Sequence, residues 1–224
     1  MTARLITVAH GTRTAAGNTV AVELTRAAGE RLGVEAVASY VELCEPLFAD
    51  VVAAEAVPTV VVPLLLSTGM HVREDLPEAV AGAPDPSLVH LGGPLGPDPL
   101  LAAAQVERLR EVGAVEGQRV VLLAAGSNDP AVDDDLDGAA ADLAAAWGGE
   151  VVWASMTGRG PRLADVARPG DAVSPYLLAA GYFRTQAREQ ACDARASVVA
   201  DVIGPHPRVV ELICERVAAA GVRA

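Results

Sequence analysis

Lysine is absent from this 224-residue sequence, in which all 17 basic side chains are arginines. The absence excludes chemistry that depends on a lysine amine, including Schiff-base and PLP enzymes, P-loop NTPases and protein kinases. The 29 acidic residues leave a net charge of -12, so the chain has no basic footprint for nucleic acid. We therefore expect a partner other than nucleic acid.

Cysteine and long apolar runs are also scarce. Cys44, Cys192 and Cys214 are an odd number without a CxxC pair, which argues against a disulfide framework or a thiolate zinc site and favours the cytoplasm. The most apolar segment, Val57–Leu66, contains two prolines and is shorter than the roughly 18 residues that span a bilayer. The N-terminus becomes polar too soon for a signal peptide. We predict a cytoplasmic protein without a membrane segment.

What is present is an alternation of short β-branched runs with longer stretches of helical period. The strand runs are almost continuously apolar, as in parallel strands that are covered by helices on both faces. In the first half the predicted strands are Leu5–Val8, Ala36–Val41, Thr59–Leu66 and Leu88–Leu91. The predicted helices are Thr19–Leu32, Pro46–Ala54, Glu74–Ala81 and Pro99–Val112.

The same series of elements starts again after residue 118. Its predicted strands are Arg119–Ala124, Val151–Ala154, Ala172–Leu178 and Val198–Val202, and its predicted helices are Asp133–Trp147, Pro161–Val166, Thr185–Ala194 and Pro207–Ala220. Three segments of the first half recur in the same order in the second: Ala9–Arg13 as Ala124–Asn128, Pro63–His71 as Pro175–Phe183, and Leu95–Pro99 as Ile203–Pro207. The sequence predicts an α/β protein of two similar lobes, 1–114 and 119–224, each a four-stranded parallel sheet flanked by helices.

Three polar residues of the first lobe follow predicted strands. His10 ends the first strand, Glu42 ends the second, and His71 follows the third after the turn 67–69. Ligands bind outside the carboxyl ends of parallel strands, and imidazole suits Fe, Co, Ni, Cu and Zn. A ligand set of three leaves positions open, which is typical of a catalytic or transfer site.

The second lobe keeps the glycines of these segments but not the histidines. Ala125 stands in place of His10, and Phe183 stands in place of His71. A histidine that only stabilised the fold would be needed in both lobes, so the difference favours a functional role in the first lobe.

Other polar residues have simpler interpretations. His90 lies within the fourth strand, and His206 has the position of an exposed helix cap. The acidic run Asp133–Asp135 precedes a helix and is interpreted as a solvated first turn that complements the helix dipole.

The segments Val8–Arg13, Val41–Pro46 and Val62–Pro77 together resemble the sirohydrochlorin chelatases, the CbiX and SirB type of class II chelatase. The resemblance implies two α/β lobes that enclose a tetrapyrrole cleft. It also implies a lyase that inserts Co²⁺ or Fe²⁺ into sirohydrochlorin or a related tetrapyrrole, for siroheme or cobalamin synthesis, without a nucleotide or prosthetic group. His10 and His71 match the family's metal-binding and catalytic histidines, and Glu42 matches its acidic position. This chain departs from the pattern in its second lobe, which leaves one site per chain.

A substrate with many carboxylates requires a locally positive site on a chain of charge -12. Arg13 and Arg73 lie within three residues of the site histidines and are the expected carboxylate-binding residues, with Arg184 as a third. We expect Ser67, Thr68 and Gly69 to contribute hydroxyls and amides to the same acids.

Two other functions are alternatives to the chelatase. A phosphatase with an Arg-His-Gly signature requires an arginine where this chain has Ala9. A non-catalytic carrier of a tetrapyrrole or a metal would use the same cleft. The residues leave open the choice among iron, cobalt and nickel, and whether Glu42 is a ligand or a proton acceptor. Because a duplicated chain can complete its own cleft, we expect a monomer.

Overall fold

The computed structural model describes residues 3–221 and contains two parallel sheets of four strands each. In the first sheet the strands follow the order β2-β1-β3-β4, and every pair is parallel. The strands are β1 (Arg4–Ala9), β2 (Ala36–Tyr40), β3 (Thr59–Pro63) and β4 (Val89–Leu91). The accompanying helices are α1 (Ala15–Leu32), α2 (Phe48–Ala53), α3 (Leu76–Ala81) and α4 (Pro99–Glu111).

The second sheet repeats the first, with the order β6-β5-β7-β8 and parallel pairing throughout. Its strands are β5 (Val120–Ala124), β6 (Val151–Ser155), β7 (Ala172–Tyr176) and β8 (Val198–Val199). The helices are α5 (Ala131–Trp147), α6 (Leu163–Val166), α7 (Tyr182–Asp193) and α8 (Pro207–Ala219). The predicted α/β architecture of two similar four-stranded parallel sheets is confirmed.

Strand register confirms the residue alignment of the two halves. Leu5 pairs with Val60 between β1 and β3, and Val120 pairs with Ala172 between β5 and β7. These are the pairs that the sequence repeats predict.

Two strands end three residues earlier than the apolar runs suggest, while β2 and β7 end one and two residues early, at Tyr40 and Tyr176. β3 stops at Pro63 rather than Leu66, and β8 contains two paired residues instead of five. After β8 the amide of Val202 bonds to the side chain of Asp201 at 2.8 Å, which takes it out of strand pairing.

Each central strand is buried on both faces, which accounts for its continuous apolar run. Adjacent residues of a strand point to opposite faces, and both Leu5 and Ile6 are buried in β1, as are Leu122 and Leu123 in β5. Each sheet thus forms the middle layer of its own core, with helices on either side. Within residues 3–221 no helix is both long enough and apolar enough to cross a membrane.

The compact units do not end where the sequence repeat restarts. One unit comprises the chain up to Leu95 and again from Pro205, and the other comprises Gly96–Gly204. Helix α4 packs on α5 and β7, whereas α8 packs on α1 and β3. The last helix of each half therefore covers the sheet of the other half, and the predicted division at 114–118 concerns the sequence duplication rather than the packing.

Specific bonds hold these exchanged helices. In α4, Gln105 donates to the hydroxyl of buried Ser174 at 2.9 Å, and Arg108 donates twice to the carbonyl of Ile203. In α8, Arg216 donates to the carbonyl of Leu95 at 3.1 Å. Buried polar groups are costly without partners, so these contacts favour the exchanged arrangement.

An arginine at the start of the central strand has different partners in the two units. Arg119 is paired with the buried carboxylate of Asp171. Arg4 occupies the equivalent place, but the register puts Thr59 where the second unit has Asp171. Arg4 is 8% exposed, its one ion pair is with Glu55 at 3.6 Å, and its Nε and Nη2 atoms have no hydrogen-bond partner among the described residues.

Candidate metal centre

His10 and Glu42 are brought together by the loops that follow β1 and β2. The two loops run side by side, because the Val41 amide bonds to the Ala9 carbonyl at 2.9 Å and the Glu42 amide to the His10 carbonyl at 3.2 Å. The side chains meet above this ladder, with His10 Nε2 3.5 Å from Glu42 Oε1. The parallel pairing of β1 and β2 thus places an imidazole beside a carboxylate.

Gly11 allows the close approach of these loops. Its φ of +96° lies in the region that favours glycine. A Cβ at this position would lie 1.9 Å from the Glu42 carbonyl oxygen. The glycine next to His10 is therefore a requirement of the backbone, and the histidine itself is not.

His71 reaches the same place from β3. It begins a single π-helical turn, His71–Asp75, that follows the turn 67–69 and leads into α3. The imidazole rings of His10 and His71 meet edge to face, with centroids 4.8 Å apart and planes at 82°. The structure thus brings together all three residues that the sequence predicts as metal ligands.

The three side chains are close to a coordination geometry. One ligand atom each from His10, Glu42 and His71 lies within 4.8 Å of the others. Atoms that bind one ion at about 2.0–2.2 Å from tetrahedral positions are about 3.3–3.6 Å apart. The ligand atoms would therefore have to approach one another by up to about 1.5 Å to share an ion, which side-chain rotation can supply. Among residues 3–221 this is the one group of three or more His, Cys, Asp or Glu side chains with such spacing.

The cluster is open to solvent. The exposed fractions of the His10, Glu42 and His71 side chains are 49%, 51% and 30%. Structural metal sites have four closed ligands, whereas sites that act on a substrate keep positions open. Three exposed donors therefore suit an ion that enters and leaves.

The second unit lacks all three donors at the equivalent place. The Thr157 amide bonds to the Ala125 carbonyl as the Glu42 amide bonds to that of His10, so Thr157 occupies the position of Glu42. Gly126 has a φ of +99°, and its Cβ would also lie 1.9 Å from a carbonyl oxygen, that of Thr157. The loop geometry is retained without the ligands, which supports the inference from the sequence that the donors are functional.

The predicted carboxylate-binding residues differ in their surroundings. Arg13 and Arg73 are exposed, and Arg13 lines a surface groove beside Leu43 and Cys44. The turn of Ser67, Thr68 and Gly69 is partly buried between β3 and His71.

Arg184, the third predicted carboxylate-binding residue, already has a carboxylate partner within the protein. Its Nε and Nη2 atoms donate to the two carboxylate oxygens of Asp201 at 2.6 and 2.8 Å. The Arg184 hydrogen bonds hold the pKa of the Asp201 carboxyl below its ordinary value. This guanidinium fork is engaged by a carboxylate of its own unit and does not present its paired donors to a substrate.

The other polar candidates lie outside the cluster. His90 is exposed in β4. His206 caps α8, accepting from the Arg208 amide at 3.3 Å as expected, but it is buried rather than exposed, with 6% accessible. Asp133 lies in the first turn of α5 as predicted and pairs with Arg159 at 2.8 Å.

One residue of the centre was missed by the sequence reasoning. The carboxylate of Asp75 forms a short hydrogen bond with His71 Nδ1. The signal in the sequence is a histidine followed by an aspartate four positions later at the start of a helix, a spacing that puts both side chains on one face.

Known proteins share this fold and these segments. A family model described as CbiX matches residues 4–112. The sirohydrochlorin ferrochelatase of Bacillus subtilis (strain 168) is 31% identical over an alignment of 199 positions, which covers 80% of this chain and 76% of that protein.

Two solved structures resemble the whole chain. SirB from Bacillus subtilis with Fe³⁺ has 27% sequence identity and a TM-score of 0.83, covering 98% of this chain and 96% of that one. The sirohydrochlorin chelatase SirB from Bacillus subtilis subspecies spizizenii in complex with cobalt has 27% identity and a TM-score of 0.82, covering 98% and 95%. Taken with the shared fold and the cluster of donors, this similarity shows that the chain belongs to the sirohydrochlorin chelatase family.

Proposed function

We propose that this protein is a lyase that inserts Co²⁺ or Fe²⁺ into sirohydrochlorin or a related tetrapyrrole, in siroheme or cobalamin synthesis. The observation that carries the proposal is the open cluster of His10, Glu42 and His71, whose donor atoms lie within 4.8 Å of one another. The relatives support it, since one is named a sirohydrochlorin ferrochelatase and solved SirB structures hold Fe³⁺ or cobalt.

The chemistry of insertion explains why these donors are suitable. The divalent ion exchanges water for four ring nitrogens, and the macrocycle gives up two pyrrole protons, so metal and free base yield the metallated ring and two protons. Neutral imidazoles of His10 and His71 bind the ion through nitrogen and release it to the ring. Glu42, 3.5 Å from His10, is placed either to share the ion or to accept a proton that the ring loses.

The donor set suits several metals. Imidazole with one carboxylate binds iron, cobalt and nickel, and affinity alone does not select among them. In this proposal the metal is a substrate that the centre binds and passes to the tetrapyrrole. Because affinity does not select one metal, the supply of each metal contributes to which one is inserted. Comparing initial insertion rates with Fe²⁺, Co²⁺ and Ni²⁺ on one tetrapyrrole measures the preference of the protein itself.

Recognition of the tetrapyrrole acids is assigned to Arg13 and Arg73, with the turn 67–69 beside them. Both arginines are exposed in the unit that holds the cluster, and a guanidinium binds a carboxylate with two parallel hydrogen bonds. We expect Arg13→Ala/Arg73→Ala to raise KM for the tetrapyrrole. Arg31→Ala/Arg110→Ala removes the same charge from the last turns of α1 and α4 and serves as the control, so equal effects on KM would contradict the assignment.

The test of the function is insertion of Co²⁺ or Fe²⁺ followed by the change in the tetrapyrrole absorption spectrum. We expect acceleration over the spontaneous rate, and a loss of at least about 100-fold in His10→Ala and in His71→Ala. His90→Ala removes an exposed histidine of the same unit and should retain the rate. Wild-type rates in both site variants would contradict the assignment of the reaction to His10 and His71. Tight tetrapyrrole binding without acceleration by the wild type would show that the protein is a carrier and not a chelatase.

The proposal places this reaction in the cytoplasm and in a single chain. The cysteines of the described residues form no disulfide, which fits that compartment, and the duplicated sheets give one polypeptide both units. Measuring the molar mass in solution at the concentration of the assay tests the second part.

A further inference from the structure

The turn that carries His71 has an unusual backbone. The His71 carbonyl accepts from the amide of Leu76, five residues on, whereas an α-helix pairs residues four apart. Single π turns within helices are rare and are frequent at functional sites. The turn runs from His71 to Asp75 and continues directly into α3.

The second unit has no such turn at the equivalent place. Both segments begin alike, because the Arg73 amide bonds to the Gly69 carbonyl at 3.1 Å and the Thr185 amide bonds to that of Gly181 at 3.3 Å. From there α7 is regular α-helix over Tyr182–Asp193. In these two segments the backbones therefore diverge after the shared glycine, Gly69 or Gly181.

The histidine and its carboxylate are absent together from the second unit. Phe183 stands at the position of His71 in the sequence repeat, and the same spacing puts Ala187 at the position of Asp75. Matching the buried residue Leu76 with buried Ala187 instead would put Gln186 there. In neither alignment does the second unit keep an acid.

The bond between the two residues determines which nitrogen of His71 is available. Asp75 Oδ2 contacts His71 Nδ1, and an ionised carboxylate only accepts hydrogen bonds, so the imidazole N–H is the donor. The proton of the neutral ring is then on Nδ1, and the lone pair that can bind a metal is on Nε2. His10 is held differently, because its Nδ1 lies 3.3 Å from the carbonyl of the adjacent Gly11.

We propose that Asp75 is the positioning residue for His71: it accepts the Nδ1–H, holds the ring in one tautomer and orientation, and so presents Nε2 to the metal. The proposal rests on the proposed function in taking a divalent metal as the ligand. Carboxylates that bond to ligating histidines orient the ring and increase its basicity, and removing them weakens metal binding or activity about 10- to 100-fold.

Binding of Co²⁺ alone, without tetrapyrrole, tests the proposal through a double-mutant cycle. We expect Asp75→Ala to weaken Co²⁺ binding about 10- to 100-fold in the wild-type background and to have no further effect in His71→Ala. The visible absorption of bound Co²⁺ reports both the affinity and the ligand set. Equal losses in the two backgrounds would mean that Asp75 acts independently of His71, and an unchanged affinity in both would also overturn the proposal.

Two further variants separate positioning from direct chemistry. Asp75→Asn keeps an oxygen that accepts the Nδ1–H, so it should bind Co²⁺ more tightly than Asp75→Ala. A loss in Asp75→Asn as large as in Asp75→Ala would indicate a metal ligand or proton acceptor instead. Glu74→Ala removes an exposed acid from the same turn and is the control, with an expected change of less than about 2-fold.

The tautomer itself can be measured on the unmutated protein, which keeps the proposal testable if Asp75→Ala does not fold. Nitrogen-15 spectra of the metal-free protein, with His71→Ala used for assignment, should show the proton of neutral His71 on Nδ1. A proton on Nε2 would overturn the proposal. The proposed function would stand in that case if the wild type inserts metal, whereas failed insertion with the expected tautomer and cycle would refute the function and leave the positioning role intact.

Discussion

Replacing Gly11 by alanine can distinguish a loss of stability from a loss of activity in the loop that carries His10. Gly126, at the equivalent place in the second unit, provides the matched control. Gly11 and Gly126 have φ values of +96° and +99°, and a Cβ on either would lie 1.9 Å from a carbonyl oxygen. That oxygen belongs to Glu42 in the first unit and to Thr157 in the second. The same substitution therefore meets the same obstacle in both units, but a predicted metal ligand is adjacent in only one.

The expected loss of stability is similar for the two variants. A non-glycine residue held in this region of φ costs about 1–3 kcal/mol, and relief of the backbone overlap costs about 1–3 kcal/mol more. Gly11→Ala and Gly126→Ala should each lower the free energy of unfolding by about 2–6 kcal/mol. For a chain of this length the melting temperature should fall by roughly 5–20 °C, as measured by circular dichroism.

The expected loss of activity differs between them. In Gly11→Ala the Glu42 loop must move away from His10, and a displacement of about 1 Å at a catalytic group lowers a rate about 100-fold. Gly126→Ala should retain the wild-type rate of metal insertion at temperatures below its melting transition. Equal rates in the two variants at matched stability would refute the assignment of the centre to the first unit.

Two further predictions concern stability. Thr59→Asp should give the buried guanidinium of Arg4 the carboxylate that Asp171 provides in the second unit. A charged hydrogen bond contributes about 1.5–3 kcal/mol, and loss of the bond from the Thr59 hydroxyl to the Val57 carbonyl offsets about 1 kcal/mol of it. The melting temperature should therefore rise by about 2–4 °C per kcal/mol of net gain. A lower melting temperature would contradict the match between Thr59 and Asp171. Since Arg184 lowers the pKa of Asp201 from 3.8, their pairing stabilises the fold above that pH and is lost as the pH falls through the lowered value. Asp201→Asn should therefore lower the urea midpoint at neutral pH and have no effect well below pH 3.8, and a constant difference at both would exclude the linkage.

Much of the fold follows from local patterns in the sequence. Continuous apolar runs such as Val120–Ala124 predict strands that are buried on both faces, and their alternation with helical stretches predicts parallel sheets. The internal repeat predicts two sheets of one topology. The exchange of α4 and α8 between the halves was not predictable, because either packing buries the same apolar faces and the choice depends on contacts between distant residues such as Gln105 and Ser174.

The candidate metal centre, like the fold, is predictable from the sequence only in part. Its donors are predictable from the residues alone, since His10, Glu42 and His71 follow three strands whose carboxyl ends share one edge, and the second half lacks both histidines. Packing of the folded chain is what pairs Asp75 with His71 and Arg184 with Asp201. Hydrogen-bond partners are set by distances of a few tenths of an ångström, and those distances depend on how separate elements pack, which residue spacing along one chain does not specify.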